Sequence, residues 1–264
     1  MSDNVNSGNA IDVEIRGHTA VLTMNNPPAN TWTQESLNLL RDTVLKLNDD
    51  KTVYALVITG QGEKFFSAGA DLNLFADGDK AVALGMAQAF GEAFETLSQF
   101  RGVSIAAING YAMGGGLEVA LACDIRIAEA HASLALPEAK VGLLPCAGGT
   151  QNLTWLVGEG WAKRIILCGE RVTASQAVEI GLVEQVVASG QALDCAIQMA
   201  SDVANQSPSS VAACKALIQN CRHSPLTHGL VKERELFMKL FDTEDQTEGV
   251  QAFLQKRKPE WKNR

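Results

Sequence analysis

The sequence predicts an α/β fold with parallel strand pairing, and three observations predict it. Short apolar runs at residues 53–59 and 103–108 are bounded by glycine or polar residues, as strands buried on both faces are. Segments with apolar residues at helical spacing alternate with those runs, which is the pattern of a parallel sheet crossed over by helices. Beyond Gly181 the alternation fades, and after Ser207-Pro208 the chain reads as helical throughout.

Residues 12–23 carry Val13, Ile15 and Val21 in near alternation and end at Asn25-Asn26-Pro27-Pro28, so they predict a hairpin at a sheet edge. Thr33 is the N-cap of a helix over 34–48, with Glu35 in the first turn and Leu37, Leu40, Val44 and Leu47 on one face. The strand at 53–59 runs into Gly60-Gln61-Gly62, and residues 64–71 follow as a loop. Met86, Phe90, Phe94 and Leu97 mark a helix ending near Gln99; an aromatic face at that spacing is core more often than an acyl pocket wall, which Phe75 and Leu84 would share. A strand at 103–108, a helix at 114–121 and a strand at 124–128 come next, and 182–187 is the last strand. The tail holds a helix begun by Val211, Lys215 and Ile218, then helices over 226–241 and 244–258. The domain reading is therefore a core over 1–206 and a helical region over 207–264, without a flexible linker or internal repeat.

The 264 residues, 46% of them hydrophobic and 20% charged, suffice for a sizeable core. A formal net charge of −8 argues against nucleic acid as a partner, because phosphate binding needs clustered Lys and Arg. The first ten residues lack the basic start and apolar run of a signal peptide, and no apolar stretch spans a membrane, so a cytoplasmic protein is expected. Six cysteines without a C-x-x-C and four scattered histidines predict free thiols and no metal site.

The chemistry concentrates in three segments. Gly114-Gly115-Gly116-Leu117-Glu118 leaves a buried strand and opens a helix; its glycines let a ligand oxygen reach N–H groups at the positive end of a helix dipole, with Glu118 one turn on. The absence of Gly-Lys-Ser/Thr and of G-x-G-x-x-G weighs against a nucleotide phosphate. Ser67-Ala68-Gly69-Ala70-Asp71 also follows a buried strand and would aim the Ala70 N–H at the same point, giving two donors for an oxyanion. Leu136-Pro137-Glu138 precedes Ala147-Gly148-Gly149-Thr150, and Glu138 paired with Glu118 would share acid and base duties on a water. Taken singly, each segment reads as readily as a packing glycine, a plain turn or a solvated carboxylate.

Together the segments resemble the crotonase (enoyl-CoA hydratase/isomerase) family, through Phe66-Ser67-Ala68-Gly69-Ala70-Asp71-Leu72, Asn109 to Glu118, and Pro137-Glu138 through Ala147-Gly148-Gly149-Thr150-Gln151. The resemblance implies a ClpP/crotonase spiral of repeated ββα units. It also implies a helical C-terminal trimerisation region, a trimer or dimer of trimers, and an acyl-CoA thioester ligand. Coenzyme A would be part of the substrate, with no separate cofactor. By motif position the N–H groups of Ala70 and Gly115 would hold the thioester oxygen. Ala68, Gly69, Ala70, Asp71, Leu72 and Gly114 would cradle substrate and coenzyme, and Glu118 and Glu138 would be catalytic.

Family members with both glutamates add water syn across a trans-2-enoyl thioester, so the resemblance implies an enoyl-CoA hydratase of fatty acid β-oxidation type, with Glu118 as base and Glu138 as proton donor. A double-bond isomerase or a specialised dehydratase is the alternative, and a non-catalytic acyl-CoA-binding or RNA-binding relative the more distant one. Two departures are visible: Asn152 stands where many relatives have Arg, and the Asn26-Pro27-Pro28 turn lacks the basic residue often found before its proline. Lys256, Arg257 and Lys258 look like the family's basic C-terminus, equally readable as solvated cations.

Overall fold

A computed structural model describes residues 10–264 and places ten strands in two sheets. The stretch used to judge a signal peptide lies, apart from Ala10, outside the described residues. Strands β1 (Ile11–Arg16) and β2 (Thr19–Met24) form the expected edge hairpin, antiparallel, with Ile11 opposite Met24. Helix α1 (Gln34–Asp49) starts at the expected cap: Thr33 Oγ1 accepts from the Ser36 N–H at 3.2 Å, and Ser36 Oγ returns the contact to the Thr33 N–H at 2.9 Å.

From there the chain repeats one unit. A long strand joins the first sheet, a short strand joins the second, and a helix closes the turn. The first unit is β3 (Ala55–Gly60), β4 (Phe65–Ser67) and α2 (Lys80–Ser98), with a 3₁₀ turn at Leu72–Phe75. The second is β5 (Val103–Ile108), β6 (Tyr111–Met113) and α3 (Gly115–Ala122). The third is β7 (Ile125–Glu129), β8 (Ser133–Ala135), a 3₁₀ turn at Glu138–Val141 and α4 (Gly149–Leu167). Then come β9 (Val172–Thr173), α5 (Ala174–Glu179), β10 (Gln185–Val187) and α6 (Ala192–Ala204).

The first sheet runs β1-β2-β3-β5-β7-β10, parallel from β2 onward; the second runs β4-β6-β8-β9, with only β9 antiparallel. This is the ββα spiral that the resemblance implied. The segment expected as a loop at 64–71 contains β4, and β6 and β8 were likewise not foreseen, because three-residue strands are too short to show a period.

Every residue of β3 is buried, because the strand has a core on each face. Leu56 and Ile58 point into the larger core with α1 and α2, while Ala55 and Val57 meet Ala192, Ala196 and Ala200 of α6. The C-terminal helices are α7 (Pro208–Asn220), capped by Ser207, α8 (Leu226–Leu240) and α9 (Glu244–Leu254). The last ends sooner than the expected 258, with Lys256 in the left-handed region.

One ion pair ties this tail to the core. Lys215 Nζ of α7 donates to Asp124 Oδ2 at 2.7 Å, Phe100 O at 2.6 Å and Gly102 O at 3.0 Å, while Asp124 also accepts from Ser104 N and Oγ. Lys215→Met strands Asp124 and two carbonyls, so it is expected to cost about 3 kcal/mol, read as a lower urea midpoint.

Candidate active site

The turn from β6 into α3 is built on close approach. A side chain on Gly116 would collide with the Ser67 carbonyl oxygen, so glycine there lets α3 seat against the end of β4. Glu118, in the first turn of α3, is 3% exposed, and its Oε1 accepts from the N–H groups of Ala147 at 2.8 Å and Gly149 at 2.9 Å. Those donors belong to the N-terminus of α4, a ready-made site for an anion. A side chain on Gly149 would begin 2.8 Å from the same oxygen. Burial raises the Glu118 pKa above the usual carboxylate range, and the two N–H bonds pull against it in favour of the anion.

Glu138 opens the 3₁₀ turn after β8, and its Oε1 lies 3.0 Å from where a side chain on Gly114 would start. Its Oε2 is buried and meets no hydrogen-bonding partner among the described residues. Burial is the larger cause and the charge of Glu118 a further one that push its pKa up to about 7. Glu138, after β8, therefore lies within the field of Glu118 on α3. Cys146 feels both: although its residue is exposed, partial loss of solvation, then Glu118 and Glu138, push its thiol up to about 11, which keeps it neutral at neutral pH.

The donors come from the other direction. A side chain on Gly69 would begin 3.0 Å from the Gly115 nitrogen, so the 68–71 loop lies against the start of α3. In that loop the Ala68 N–H donates to Ala29 O at 2.9 Å, the Gly69 N–H to Ser67 Oγ at 3.2 Å, and the Asp71 N–H to Trp32 O at 3.1 Å. The N–H groups of Ala70 and Gly115 donate to no acceptor among the described residues, and they flank the close approach of the two segments. Unengaged N–H groups on two abutting segments are the kind of donor pair an oxyanion site uses.

The other expected contact residues have these local surroundings. Gly114, at φ +54, gives its N–H to Ala135 O at 2.9 Å, and its carbonyl receives the N–H groups of Leu117 and Glu118. Asp71 caps the 3₁₀ turn through the Asn73 N–H at 3.0 Å, and Leu72 is exposed. Phe90 and Phe94 are core, as the spacing favoured, although a side chain on Gly115 would begin 2.8 Å from the Phe90 ring. Arg257 is held by Glu248 through both terminal guanidinium nitrogens, and Asn152 accepts from Arg222 at 3.3 Å.

Three functional features escaped the motifs. The role of Ala147 and Gly149 as donors to Glu118 was signalled by a glycine pair after Pro145, but its target lies on another element. Asn30, buried and at φ +51, donates from Nδ2 to Gln61 O at 3.0 Å and Phe65 O at 2.9 Å, and its carbonyl accepts from Ser67 Oγ at 2.7 Å. Trp32 bridges to Ala70. A separate cavity of about 850 Å³, lined by Lys64, His131 and Ser189 among others, lies by the N-terminal ends of β4, β6 and β8 and includes neither carboxylate. Among the described residues, no His, Cys, Asp and Glu group is placed to hold a metal, and no helix is long and apolar enough to cross a membrane.

Comparison with known proteins shows the family. A model of the enoyl-CoA hydratase/isomerase family matches residues 14–264. A 2,3-dehydroadipyl-CoA hydratase of Escherichia coli is 41% identical over 92% of this chain and 95% of its own. A short-chain-enoyl-CoA hydratase of Clostridium acetobutylicum is 36% identical over 97% of this chain and 99% of its own. Among solved structures, DspI of Pseudomonas aeruginosa is 63% identical and superposes with a TM-score of 0.95, covering 98% of this chain and 99% of that one.

Proposed function

The chain belongs to the enoyl-CoA hydratase/isomerase family and is an enzyme of the hydratase type, and on that footing we propose that it adds water syn across a trans-2-enoyl-CoA to give the 3-hydroxyacyl-CoA, or runs the reverse dehydration. The observation that carries the reading is the unequal carboxylate pair. Burial raises both carboxyls, but Glu118 has two N–H donors that pull it back toward the anion, whereas Glu138 has a partnerless oxygen and a pKa of about 7, so Glu118 is the better suited to accept a proton and Glu138 to give one.

In the proposed cycle the thioester oxygen accepts from the Ala70 and Gly115 N–H groups. Glu118 takes a proton from water as its oxygen bonds to Cβ, and the π electrons move toward Cα and the thioester oxygen. Glu138 gives its proton to Cα as the thioester carbonyl re-forms. One proton has entered Glu118 and one has left Glu138; its transfer between the adjacent carboxylates resets the site. Ala68, Gly69, Asp71, Leu72 and Gly114 border the route by which the acyl-CoA would enter. We place the reaction in the cytoplasm, in fatty acid breakdown of the β-oxidation type, with no cofactor beyond the coenzyme A of the substrate.

The assay is the loss of enoyl-thioester absorbance with crotonyl-CoA and longer trans-2-enoyl-CoAs. Hydration of these supports the reading, and turnover of 3-enoyl-CoAs alone would replace it with double-bond isomerisation.

We also assign residues 207–264 to self-assembly. No residue of α8 is buried, and Phe237, Met238, Phe253 and Leu254 stand exposed, the kind of apolar side chains that subunit contacts bury. Light scattering is expected to give the mass of a trimer or of two trimers; a monomer at micromolar concentration would refute this.

A further inference from the structure

We infer that Trp32 is a positioning residue for the oxyanion site, one that fixes the direction of the Ala70 N–H and its spacing from Gly115. The inference rests on the two-donor site proposed above. Trp32 is joined to the 69–71 loop by a parallel bridge: its N–H donates to Gly69 O at 2.8 Å and its carbonyl accepts from the Asp71 N–H at 3.1 Å. In extended chain the groups of successive residues point to opposite sides, so engaging Gly69 O and Asp71 N–H on one side turns the Ala70 N–H to the other. The segment preceding the bridge continues the grip, with Ala29 O accepting from the Ala68 N–H and the Asn30 carbonyl from Ser67 Oγ. This strap takes the place of a short strand in the opening turn of the spiral, beside β4.

The side chain anchors the strap beneath the second donor. Trp32 is 2% exposed and packs edge-on against Phe94, ring centroids 5.6 Å apart. Its Cδ1 lies 3.5 Å from the point where a side chain on Gly115 would begin. One residue therefore holds the loop of one donor by its backbone and abuts the residue of the other by its ring. Its indole N–H has no acceptor among the described residues, so the ring's shape, not its hydrogen bond, is what positions.

The test separates the oxyanion site from substrate binding at large. Acetoacetyl-CoA ionises to an enolate and probes the charged state; butyryl-CoA probes the neutral thioester. Wild type is expected to favour the enolate. Trp32→Ala should weaken enolate binding and lower kcat about 10-fold each, a partial loss of the kind a small donor displacement causes, with butyryl-CoA affinity and KM within about 2-fold. Trp32→Phe, which keeps a ring, should restore both to within about 3-fold of wild type, and Trp32→Leu replaces the alanine variant if that one does not fold. Equal loss of both ligands, or an unchanged enolate preference, would overturn the role of Trp32. A wild type with no enolate preference would instead remove the two-donor site itself.

Discussion

Glu138→Gln is expected to lower hydration kcat about 10³-fold, since it removes the proton donor while keeping the side chain's size. In wild type, the acid must carry its proton, so kcat/KM for hydration should fall as pH rises through about 7, the value to which burial and the Glu118 charge push this carboxyl. Stability should move the opposite way in the variant. Below the ordinary glutamate value of 4.5 the group is protonated in both folded and unfolded chains, and folding loses nothing. Between there and about 7 only the unfolded chain sheds the proton, so the stability held at low pH is lost, and above about 7 the loss is complete. The amide that replaces the carboxyl has no charge to bury. With allowance for partial solvent screening, Glu138→Gln should be more stable than wild type by about 2 kcal/mol at pH 8 and equal at pH 4. Thermal melts at the two pH values measure it, and a variant less stable at both would show that Glu138 is held by bonds absent from its present surroundings.

Such a variant sharpens what the amino-acid order discloses. Glu118 was legible because a glycine triplet after an apolar run is a local pattern, and the family motifs then placed Glu138 and Ala70. Their coupling was not, since it depends on a 3₁₀ turn after β8 bringing one carboxylate into the field of another on α3. The long strands β3 and β5 announce themselves by continuous apolar residues, whereas β4, β6 and β8, which carry the site, are three residues each and have no period to read. Helix α6 meets the sheet with Ala192, Ala196 and Ala200, a stripe too small in volume to stand out as an apolar face. Helix α4 is broken by Gly158 at φ 76, which interrupts its spacing. Trp32 and Asn30 act through bonds to the segment 61–71, and no window of neighbouring residues contains both ends of those bonds.

Replacing Glu118 tests the other half of the pair, and two substitutions divide chemistry from architecture. Glu118→Gln should also cost about 10³-fold in kcat, because an amide does not take the proton of water. Its Oε1 still accepts from the Ala147 and Gly149 N–H groups, so the melting temperature should stay near that of wild type. Glu118→Ala leaves both donors buried and unpaired beside a new cavity, and a loss of about 3 kcal/mol is expected on top of the inactivity. The amide variant has a second consequence at a distance. With the negative neighbour gone, one of the two influences that raise Glu138 disappears while the larger, burial, stays. The Glu138 titration, followed by carbon-13 NMR of its carboxyl, should therefore move down from about 7 yet remain above 4.5. A titration that does not move would mean the carboxylates act independently, and a proton could not then pass between them to reset the site.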